Sequence, residues 1–285
     1  MKTILITGIN GFLGSHLAKK LKEEYNIIGL EYSLENLDRI SSEKFLVYSS
    51  KDSLEEIFEQ NNIFAVIHAA TLYRRSNTPI ENIIATNILL PVKLYELANS
   101  FNVNLFVNTD SFFNNSKYNY SYLPDYTLSK KHSIEWLKLM QGNCKLVNMK
   151  IFHMYGPNDA PNKFVPQIVK KLQENEPYID TTQGEQTRDF VFIDDVVSSY
   201  SYVLKSYLIL PTGYIEYQVG TGESISIKDF ILTVQKLTKS STELRFGAVP
   251  YRENEIMESV ADTSLLQNLG WISNYALKEG IKKCL

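Results

Sequence analysis

Residues 3–14 of the chain read TILITGINGFLG, an apolar run followed by three glycines, Gly8, Gly11 and Gly14. The apolar run predicts a buried strand, and Phe12 begins a stretch with helical spacing. Glycine at these three positions permits a tight turn, lets the backbone approach a ligand, and lets the helix pack closely on the strand. The stretch therefore predicts a strand, a glycine-rich turn and a helix in that order.

Outward from this turn, short apolar runs alternate with helical stretches through the first half of the chain. This order predicts right-handed crossovers and an α/β fold, a Rossmann-type doubly wound parallel sheet covered on both faces. The predicted strands span 3–7, 27–31, 45–48, 65–68, 105–107 and 146–152, and the predicted helices 12–24, 54–60, 81–100 and 130–140.

The texture changes after the sequence Tyr155-Gly156-Pro157, where elements become shorter and Pro, Gly and Asn more frequent. We expect residues 1–155 to form the Rossmann domain and residues 156–285 a smaller α/β domain. The stretch 190–204 again has the pattern of a strand and a helix, and we expect it to return to the first domain.

Composition excludes several classes of protein. The 285 residues are 44% hydrophobic and 21% charged, as in a globular chain, and 29 basic against 32 acidic residues give a net charge of −3. We therefore expect no nucleic-acid partner and no membrane association. The first apolar run follows directly after Lys2 without a signal peptide, so we expect a cytoplasmic protein. The two cysteines and four histidines lack metal-ligand spacing, and no metal site is expected.

The glycine turn and the end of the second predicted strand together indicate a dinucleotide site. A helix N-terminus after such a turn presents backbone N–H groups and positive potential to a diphosphate. Glu31 ends the second strand, where a carboxylate accepts hydrogen bonds from the adenosine ribose, and this favours NAD(H). The first arginine beyond it is Arg39, so NADP(H), whose 2′-phosphate needs a cation, is the second expectation.

Tyr126 and Lys130 are four residues apart at the start of a helical stretch, so both side chains are expected on one face. A phenol has a pKa near 10, and a nearby ammonium favours its phenolate. The pair follows the strand predicted over 105–107, whose exit carries the hydroxyls of Thr109 and Ser111. This placement predicts proton transfer at Tyr126, with Lys130 lowering the pKa of the phenol.

At this point the motifs resemble a family, the extended short-chain dehydrogenases/reductases of the NAD-dependent epimerase/dehydratase type, which act on nucleotide sugars. They occur in the family's order and cover essentially the whole chain. They are TGINGFLG at 7–14, IHAA at 67–70, Asn87, NTDS at 108–111, YTLSK at 126–130, MYGP at 154–157, QTRDFVFIDDV at 186–196 and RENE at 252–255.

Within the family, the stretches most similar to CDP-paratose and CDP-abequose synthases are ATNILLPVKLYE at 85–96, QTRDFVFIDDV at 186–196, and the tail FGAVPYRENEIMESVAD at 246–262 with LGW at 269–271. The resemblance implies reduction of the C4 ketone of a nucleotide-linked 4-keto-6-deoxy- or 3,6-dideoxyhexose, in the synthesis of surface polysaccharide such as lipopolysaccharide O-antigen. It makes residues 156–285 the sugar-nucleotide domain. It also implies a homodimer formed by the helices predicted over 81–100 and 130–140.

The resemblance also implies roles for individual residues. Thr109 would bind the sugar C4 oxygen, with Ser111 as its rival, Tyr126 would transfer the proton, and Lys130 would bind the nicotinamide ribose. The implied cofactor-binding residues are Gly8, Asn10, Gly11, Phe12, Leu13, Gly14, Glu31, His68, Ala69, Ala70, Asn87, Tyr126, Lys130 and His153. The implied substrate-binding residues are Thr71, Asp110, Ser111, Phe164, Val165, Arg188 and Arg252, the two arginines binding the diphosphate.

Two other functions stay open. Asp110 and Ser111 stand where 4,6-dehydratases of the family carry an Asp-Glu pair, and the missing Glu argues against dehydration. A C4 epimerase that keeps its NAD is the main alternative to the reductase. A non-catalytic cofactor-binding relative is a further one, although Thr109, Tyr126 and Lys130 are intact.

Overall fold

The computed structural model describes residues 1–74, 77–115, 122–140 and 142–285. Across these ranges, none of the helices is both long enough and apolar enough to traverse a membrane. The chain forms two compact units. The first comprises Met1–Asn114, Tyr122–Lys150 and Val197–Tyr217, and the second comprises Ile151–Val196 and Gln218–Leu285 together with Asn115.

A seven-stranded sheet organises the first unit, in the order β3-β2-β1-β4-β5-β6-β11. The pairs β3–β2, β2–β1, β1–β4 and β4–β5 are parallel, which confirms the predicted doubly wound sheet. The strands are β1 (Thr3–Thr7), β2 (Asn26–Glu31), β3 (Leu46–Ser49), β4 (Ile63–His68), β5 (Leu105–Ser111), β6 (Lys145–Ile151) and β11 (Tyr214–Val219).

The crossovers between these strands are helical. The helices are α1 (Phe12–Leu21), α2 (Leu54–Gln60), α3 (Ile80–Ile84), α4 (Leu90–Ser100), α5 (Pro124–Leu139) and α7 (Ile193–Lys205), with a short 3₁₀ turn at Asp38–Ile40. Apolar side chains from both the strands and the helices fill the core, among them Leu5, Val66, Leu94, Phe106 and Leu137, all fully buried.

A π-helical turn, Ala85–Leu89, joins α3 to α4 and holds the buried Asn87. Pro91 accounts for it, because proline has no N–H to donate to the carbonyl of Asn87 four residues earlier. Such local widening of a helix is frequent at functional sites.

The second unit is built from smaller pieces. Its strand pairs are β7–β10, β9–β12 and β8–β13. The strands are β7 (His153–Tyr155), β8 (Tyr178–Thr181), β9 (Thr187–Arg188), β10 (Phe190–Phe192), β12 (Ile225–Ser226) and β13 (Glu243–Phe246). The helices are α6 (Phe164–Gln173), α8 (Ile227–Thr238), α9 (Ser264–Asn268) and α10 (Leu277–Cys284).

The chain passes from one unit to the other several times. The segment predicted to return to the first unit divides within α7, since residues up to Val196 belong to the second unit and those from Val197 to the first. The division of function between a cofactor domain and a sugar-nucleotide domain stays a prediction.

Candidate active site

The candidate site of the first unit lies where β1, β4 and β5 end. Thr7 pairs in register with His68, and His68 with Asn108, so the carboxyl ends of these parallel strands lie side by side. β5 continues through Thr109 and ends at Ser111. The edge of the sheet where ligands bind in open α/β folds therefore carries the predicted hydroxyls.

The glycine turn has the geometry that a diphosphate requires. Gly8 has a φ of +65°, and a Cβ there would lie 2.8 Å from the Cα of Ala70. A Cβ on Gly14 would overlap the carbonyl oxygen of Gly8. Gly11 caps α1 without a side chain, and the first turn of that helix contains no acidic residue. Backbone N–H groups at this helix start therefore suit an external anion.

Glu31 and Arg39 both reach the turn through Asn10. The carboxylate of Glu31 accepts the backbone N–H of Asn10 at 3.0 Å and that of Tyr32 at 3.1 Å. The backbone N–H of Arg39 donates to the side-chain oxygen of Asn10 at 3.0 Å, and its guanidinium to the Asn10 carbonyl at 3.5 Å. The fold thus brings Glu31 and Arg39 to the same glycine turn. The sequence alone did not show that both residues contact this turn.

His68 is buried beside this turn. Its Nδ1 lies 2.9 Å from the hydroxyl of Thr7, which also accepts the backbone N–H of Ala70 at 3.1 Å. Burial lowers the pKa of His68 to about 3, helped by the positive charge of Lys130, so the ring is neutral. Within the part of the chain that the structure describes, its buried Nε2 has no hydrogen-bond partner.

Tyr126, in the first turn of α5, is buried, and the nearby hydroxyl of Ser111 acts to lower the pKa of its phenol. Thr109 instead pairs its hydroxyl with that of the fully buried Tyr200, 2.8 Å away. The hydroxyl that the structure brings to Tyr126 is therefore that of Ser111, which the sequence named only as a rival.

Burial opposes the expected effect of Lys130 on the pKa of Tyr126. Burial raises the pKa of Tyr126 well above its ordinary value, and its contact with Tyr73 raises it further. The Lys130 ammonium lies 5.9 Å from the centre of the Tyr126 ring and donates to the carbonyl of Thr109 at 2.8 Å. Burial also lowers the pKa of Lys130 to about 8. Desolvation, which disfavours the charged form of either group, outweighs their attraction.

Tyr73 is a residue of this site that sequence reasoning missed. Its ring stacks on that of Tyr126, with 4.5 Å between ring centres and 23° between planes. It follows the IHAA motif by three residues, but a tyrosine among 18 carries no signal by type or spacing. Only the path of the chain beyond β4 brings it to Tyr126.

Asn87 fixes the segment that carries Tyr73. Its side-chain oxygen accepts the N–H of Leu72 at 2.7 Å and the hydroxyl of Thr71 at 3.4 Å. Its amide nitrogen donates to the carbonyl of Leu72 and to the hydroxyl of Ser129, both at 2.9 Å. Both donors and both acceptor positions of the amide thus bind protein groups. Asn87 and Thr71 therefore take part in the hydrogen bonds that hold this segment. Their predicted contacts with cofactor and substrate stay predictions.

Asp110 is buried within a polar cluster. Its carboxylate accepts the backbone N–H of Ser111 at 2.7 Å and side-chain amides of Asn114 and Asn148, both at 2.9 Å. Burial raises the pKa of Asp110, against the lowering effect of these hydrogen bonds and of Lys130. Asp110 thus orients the strand end that bears Ser111.

The two predicted diphosphate residues differ in environment within the second unit. Arg188 is buried, donates to the carbonyl of Ile256 at 2.6 Å, and forms an ion pair with Glu255 at 2.5 Å. Arg252 is exposed. The guanidinium of Arg188 therefore binds the RENE segment of its own chain.

Three further predicted residues lie elsewhere in the second unit. His153 is hydrogen-bonded through its backbone N–H to the carbonyl of Asp189 at 3.0 Å. Burial lowers the pKa of His153 well below its usual value, and the charge of Arg188 adds to this. Phe164 begins α6 and is 38% exposed, whereas Val165 is buried. Within the described ranges, no group of three or more His, Cys, Asp or Glu side chains is arranged to hold a metal ion.

Comparisons with known proteins identify the family of the chain. The sequence pattern of the NAD-dependent epimerase/dehydratase family matches residues 4–220. The chain belongs to this family. It is an NAD-dependent enzyme of the short-chain dehydrogenase/reductase type, as its motifs predicted.

Two relatives in the family are similar over their full length. The chain is 38% identical to the CDP-abequose synthase of Salmonella muenchen, covering 100% of this chain and 97% of the relative. It is 35% identical to the CDP-abequose synthase of Salmonella typhimurium, covering 99% and 97%.

Solved structures in the family share the fold. The UDP-glucuronic acid 4-epimerase of Bacillus cereus, in complex with UDP-glucuronic acid and NAD, has a TM-score of 0.82 at 21% identity, covering 99% of this chain and 97% of that chain. The UDP-glucose 4-epimerase of Thermotoga maritima, with UDP-glucose, has a TM-score of 0.83 at 21% identity, covering 98% and 96%.

Proposed function

We propose that the protein is a nucleotide-sugar 4-ketoreductase, which reduces the C4 ketone of a nucleotide-linked 4-keto-6-deoxy- or 3,6-dideoxyhexose. The full-length similarity to two CDP-abequose synthases supports a CDP-linked deoxysugar. The catalytic assignments concern the first unit, where a phenol, a hydroxyl and an ammonium adjoin the end of β5.

The full-length similarity to two CDP-abequose synthases is the observation that carries this proposal, and the protonation state of Tyr126 is compatible with it. Burial raises the pKa of this phenol, so it carries its proton at neutral pH. A protonated phenol can donate to the alkoxide that forms when a ketone is reduced, whereas the oxidation that begins epimerisation requires a base. We assign Tyr126 as the general acid and Ser111 as the hydroxyl that orients it.

The site fits a nicotinamide dinucleotide. The glycine turn would hold its diphosphate, Lys130 would bind the nicotinamide ribose, and the unpaired Nε2 of His68 would gain a partner from a cofactor group. The reduced nicotinamide supplies the hydride. The protein's residues contribute position, exclusion of water and the proton.

Cofactor preference follows from Glu31, and we propose that NADH is used with a higher kcat/KM than NADPH. A 2′-phosphate beside this carboxylate would be repelled and desolvated. Glu31→Ala should reduce the preference for NADH over NADPH, and Arg39→Ala should leave that preference unchanged. If the wild-type enzyme prefers NADPH and Arg39→Ala abolishes that preference, Arg39 rather than Glu31 recognises the adenosine ribose.

For the second unit we propose sugar-nucleotide binding. Arg252 is the stronger candidate for the diphosphate, because it is exposed whereas Arg188 is buried. Phe164, exposed at the start of α6, offers an aromatic face to a base or sugar ring.

The first experiment measures absorbance at 340 nm with NADH and a panel of CDP-, UDP-, GDP- and dTDP-linked 4-keto-6-deoxyhexoses. We expect one NADH oxidised per sugar reduced, with the CDP-linked sugars preferred. Conversion of a sugar nucleotide without a ketone, with no net change at 340 nm, would establish the epimerase. Cofactor binding without turnover across the panel would indicate the non-catalytic relative.

We propose a homodimer in which copies pair through α5 and the stretch from α3 to α4. Leu128, Trp136 and Leu139 of α5 are 52%, 55% and 72% exposed, and Ile84 and Leu89 are 43% and 50% exposed. On α5 these apolar residues recur at helical spacing and form one stripe. Exposed apolar stripes of this kind mark protein interfaces.

The cytoplasmic location stays a prediction.

A further inference from the structure

A row of polar side chains crosses three neighbouring strands of the first unit. Side chains two positions apart along a strand share a face of the sheet, and β5, β6 and β11 each contribute one such pair. The row, called the polar ladder, comprises Asn108 and Asp110, Asn148 and Lys150, and Tyr214 and Glu216. The three at its centre, Asn108, Asp110 and Asn148, are each at most 2% exposed, so they depend on protein groups for their hydrogen bonds.

Hydrogen bonds connect the polar ladder from β5 to β11. The side-chain nitrogen of Asn148 donates to the carboxylates of Asp110 and Glu216, at 2.9 Å in both cases. The side-chain oxygen of Asn148 accepts the amide of Asn108 at 2.7 Å. At the β11 end, the ammonium of Lys150 donates to Glu216 at 2.7 Å. Asn148 is therefore the link between the carboxylate on β11 and the carboxylate on β5.

Stability does not require a polar ladder at this place. A buried polar group is costly unless it is hydrogen-bonded, and apolar side chains of similar volume often stabilise a core at least as well. On the opposite face of β5 and β6, Val107, Val147 and Met149 are fully buried apolar residues. The role of the polar ladder therefore follows from what it holds at its β5 end.

Asp110 ends the polar ladder beside the groups assigned to the reaction. Its carboxylate accepts the backbone N–H of Ser111 at 2.7 Å. On the other side of Asp110, the carbonyl of Thr109 accepts the ammonium of Lys130 at 2.8 Å. Ser111 and Lys130 are thus each held by a group within one residue of Asp110, so a shift of Asp110 would displace both.

We propose that Asn148 and Glu216 are positioning residues of the active site, which act through Asp110. By holding Asp110 they set the positions of Ser111 and Lys130. The inference rests on the proposed reductase function. An amide can present either its nitrogen or its oxygen to a neighbour, whereas an ionised carboxylate only accepts. Glu216 therefore fixes the orientation in which Asn148 directs an N–H to Asp110.

The first test compares Glu216→Leu with Glu216→Gln. Both variants remove the charge opposite Lys150, but only glutamine keeps an oxygen that can accept from Asn148. We expect kcat to fall roughly tenfold in Glu216→Leu and less than about threefold in Glu216→Gln, because small displacements of reacting groups are costly. KM for the sugar nucleotide should change little in either. Glu216→Gln as slow as Glu216→Leu would overturn the proposal.

A double-variant cycle tests whether Glu216 acts through Asn148. We expect Asn148→Leu to lower kcat roughly tenfold or more, since it removes the link itself. The double variant Asn148→Leu and Glu216→Leu should lose no more than Asn148→Leu alone, because the effects of residues in one network are not additive. Losses that multiply would show that the two residues act independently, and the proposal would fail.

Asn61→Leu is the matched control for a loss of stability. The side-chain amide of Asn61 also donates two hydrogen bonds, to the hydroxyl of Tyr48 at 3.1 Å and to the carbonyl of Ile57 at 2.8 Å. It precedes β4, outside the polar ladder. Urea denaturation should show lower stability in Asn61→Leu, whereas its kcat should equal that of the wild type. A fall of kcat as large as in Asn148→Leu would make the effect a general consequence of lost stability and overturn the proposal.

All variants are assayed by NADH oxidation with the same panel of keto sugar nucleotides. Wild-type enzyme that oxidises NADH with none of them would reject the reductase function and the positioning role together. Active wild-type enzyme, with Glu216→Leu at the wild-type kcat, would reject the positioning role alone.

Discussion

Among single residues, the chemistry of this protein depends on which hydroxyl lies beside Tyr126. The motif NTDS offers Thr109 and Ser111 two positions apart, so both point to the same face of β5. Thr109 is hydrogen-bonded to Tyr200, and Ser111 is the hydroxyl that acts on the pKa of Tyr126. The sequence supplies these two candidate hydroxyls. Their contacts in the folded chain decide which of them lies beside Tyr126.

Replacing these hydroxyls gives the first prediction. Tyr126→Phe should lower kcat at least about a hundredfold while cofactor affinity stays within a few fold, because the ring remains. Ser111→Ala should lower kcat by a smaller factor, and Thr109→Ala by less again. Steady-state kinetics with NADH binding as control would check this order. A greater loss in Thr109→Ala than in Ser111→Ala would return the role to Thr109.

Lys130 gives a prediction about pH. Burial lowers its pKa to about 8, whereas Tyr126 stays protonated to higher pH. The ammonium is lost as pH rises through about 8, so kcat/KM should fall there with the slope of one proton. Among the neighbouring groups, Asp110 favours the ammonium, and His68 is neutral throughout this range.

Lys130→Arg serves as the comparison for this profile. Arginine keeps its charge at all accessible pH values. The remaining kcat/KM of this variant should therefore not fall as pH rises through about 8. A wild-type profile that stays level to about pH 9.5 would contradict the assignment of this limb to Lys130.

Among the helices and strands, the π-helical turn shows how local sequence shapes the site. Pro91 produces the turn that contains Asn87, and Asn87 in turn holds the segment 71–73 against α5. The sequence predicted one helix over 81–100 and did not predict this widening. The proline was visible, but the partners of Asn87 come from two other segments of the chain.

A third prediction concerns β9, whose Arg188 binds Glu255 in a buried ion pair. Arg188→Met should lower the free energy of unfolding by about 3 kcal/mol or more, because it leaves a buried carboxylate unpaired. Urea denaturation measures this directly. Arg252→Met, at an exposed position, should change stability by less than ~0.5 kcal/mol and act on KM for the sugar nucleotide instead.

An Arg188→Met variant of wild-type stability would contradict the structural role of this arginine. Equal increases in KM for both variants, with no loss of stability in either, would restore the pair of diphosphate-binding arginines that the sequence resemblance implies.

For the molecule as a whole, the exposed apolar stripe of α5 predicts self-association. The double variant Leu128→Glu and Trp136→Glu should convert a dimer into a monomer, because charge in an apolar interface is costly to desolvate. Light scattering at micromolar concentration gives the mass. Ile209→Glu, at an apolar position 76% exposed outside these helices, is the control and should stay dimeric.

Wild-type protein that is monomeric in the same measurement would reject the homodimer. A double variant that remains dimeric would place the interface on a different face of the molecule.

Local sequence is enough to specify the sheet, the glycine turn and the pair Tyr126 and Lys130. These depend on periodicity, on the steric freedom of glycine and on spacing within one helix, all of which are properties of neighbouring residues. Most strands and helices accordingly lie close to their predicted bounds, but β5 extends to Ser111 rather than ending at 107, and α5 begins at Pro124 rather than at 130.

The behaviour of these groups, by contrast, depends on contacts that form only in the folded chain. Folding brings Tyr73 and Ser111 to Tyr126 and Arg39 to Asn10, and it buries the phenol of Tyr126, which raises its pKa. Such contacts join residues far apart in the chain. A pKa depends on desolvation by every atom packed around the group, and no spacing in the sequence reports that.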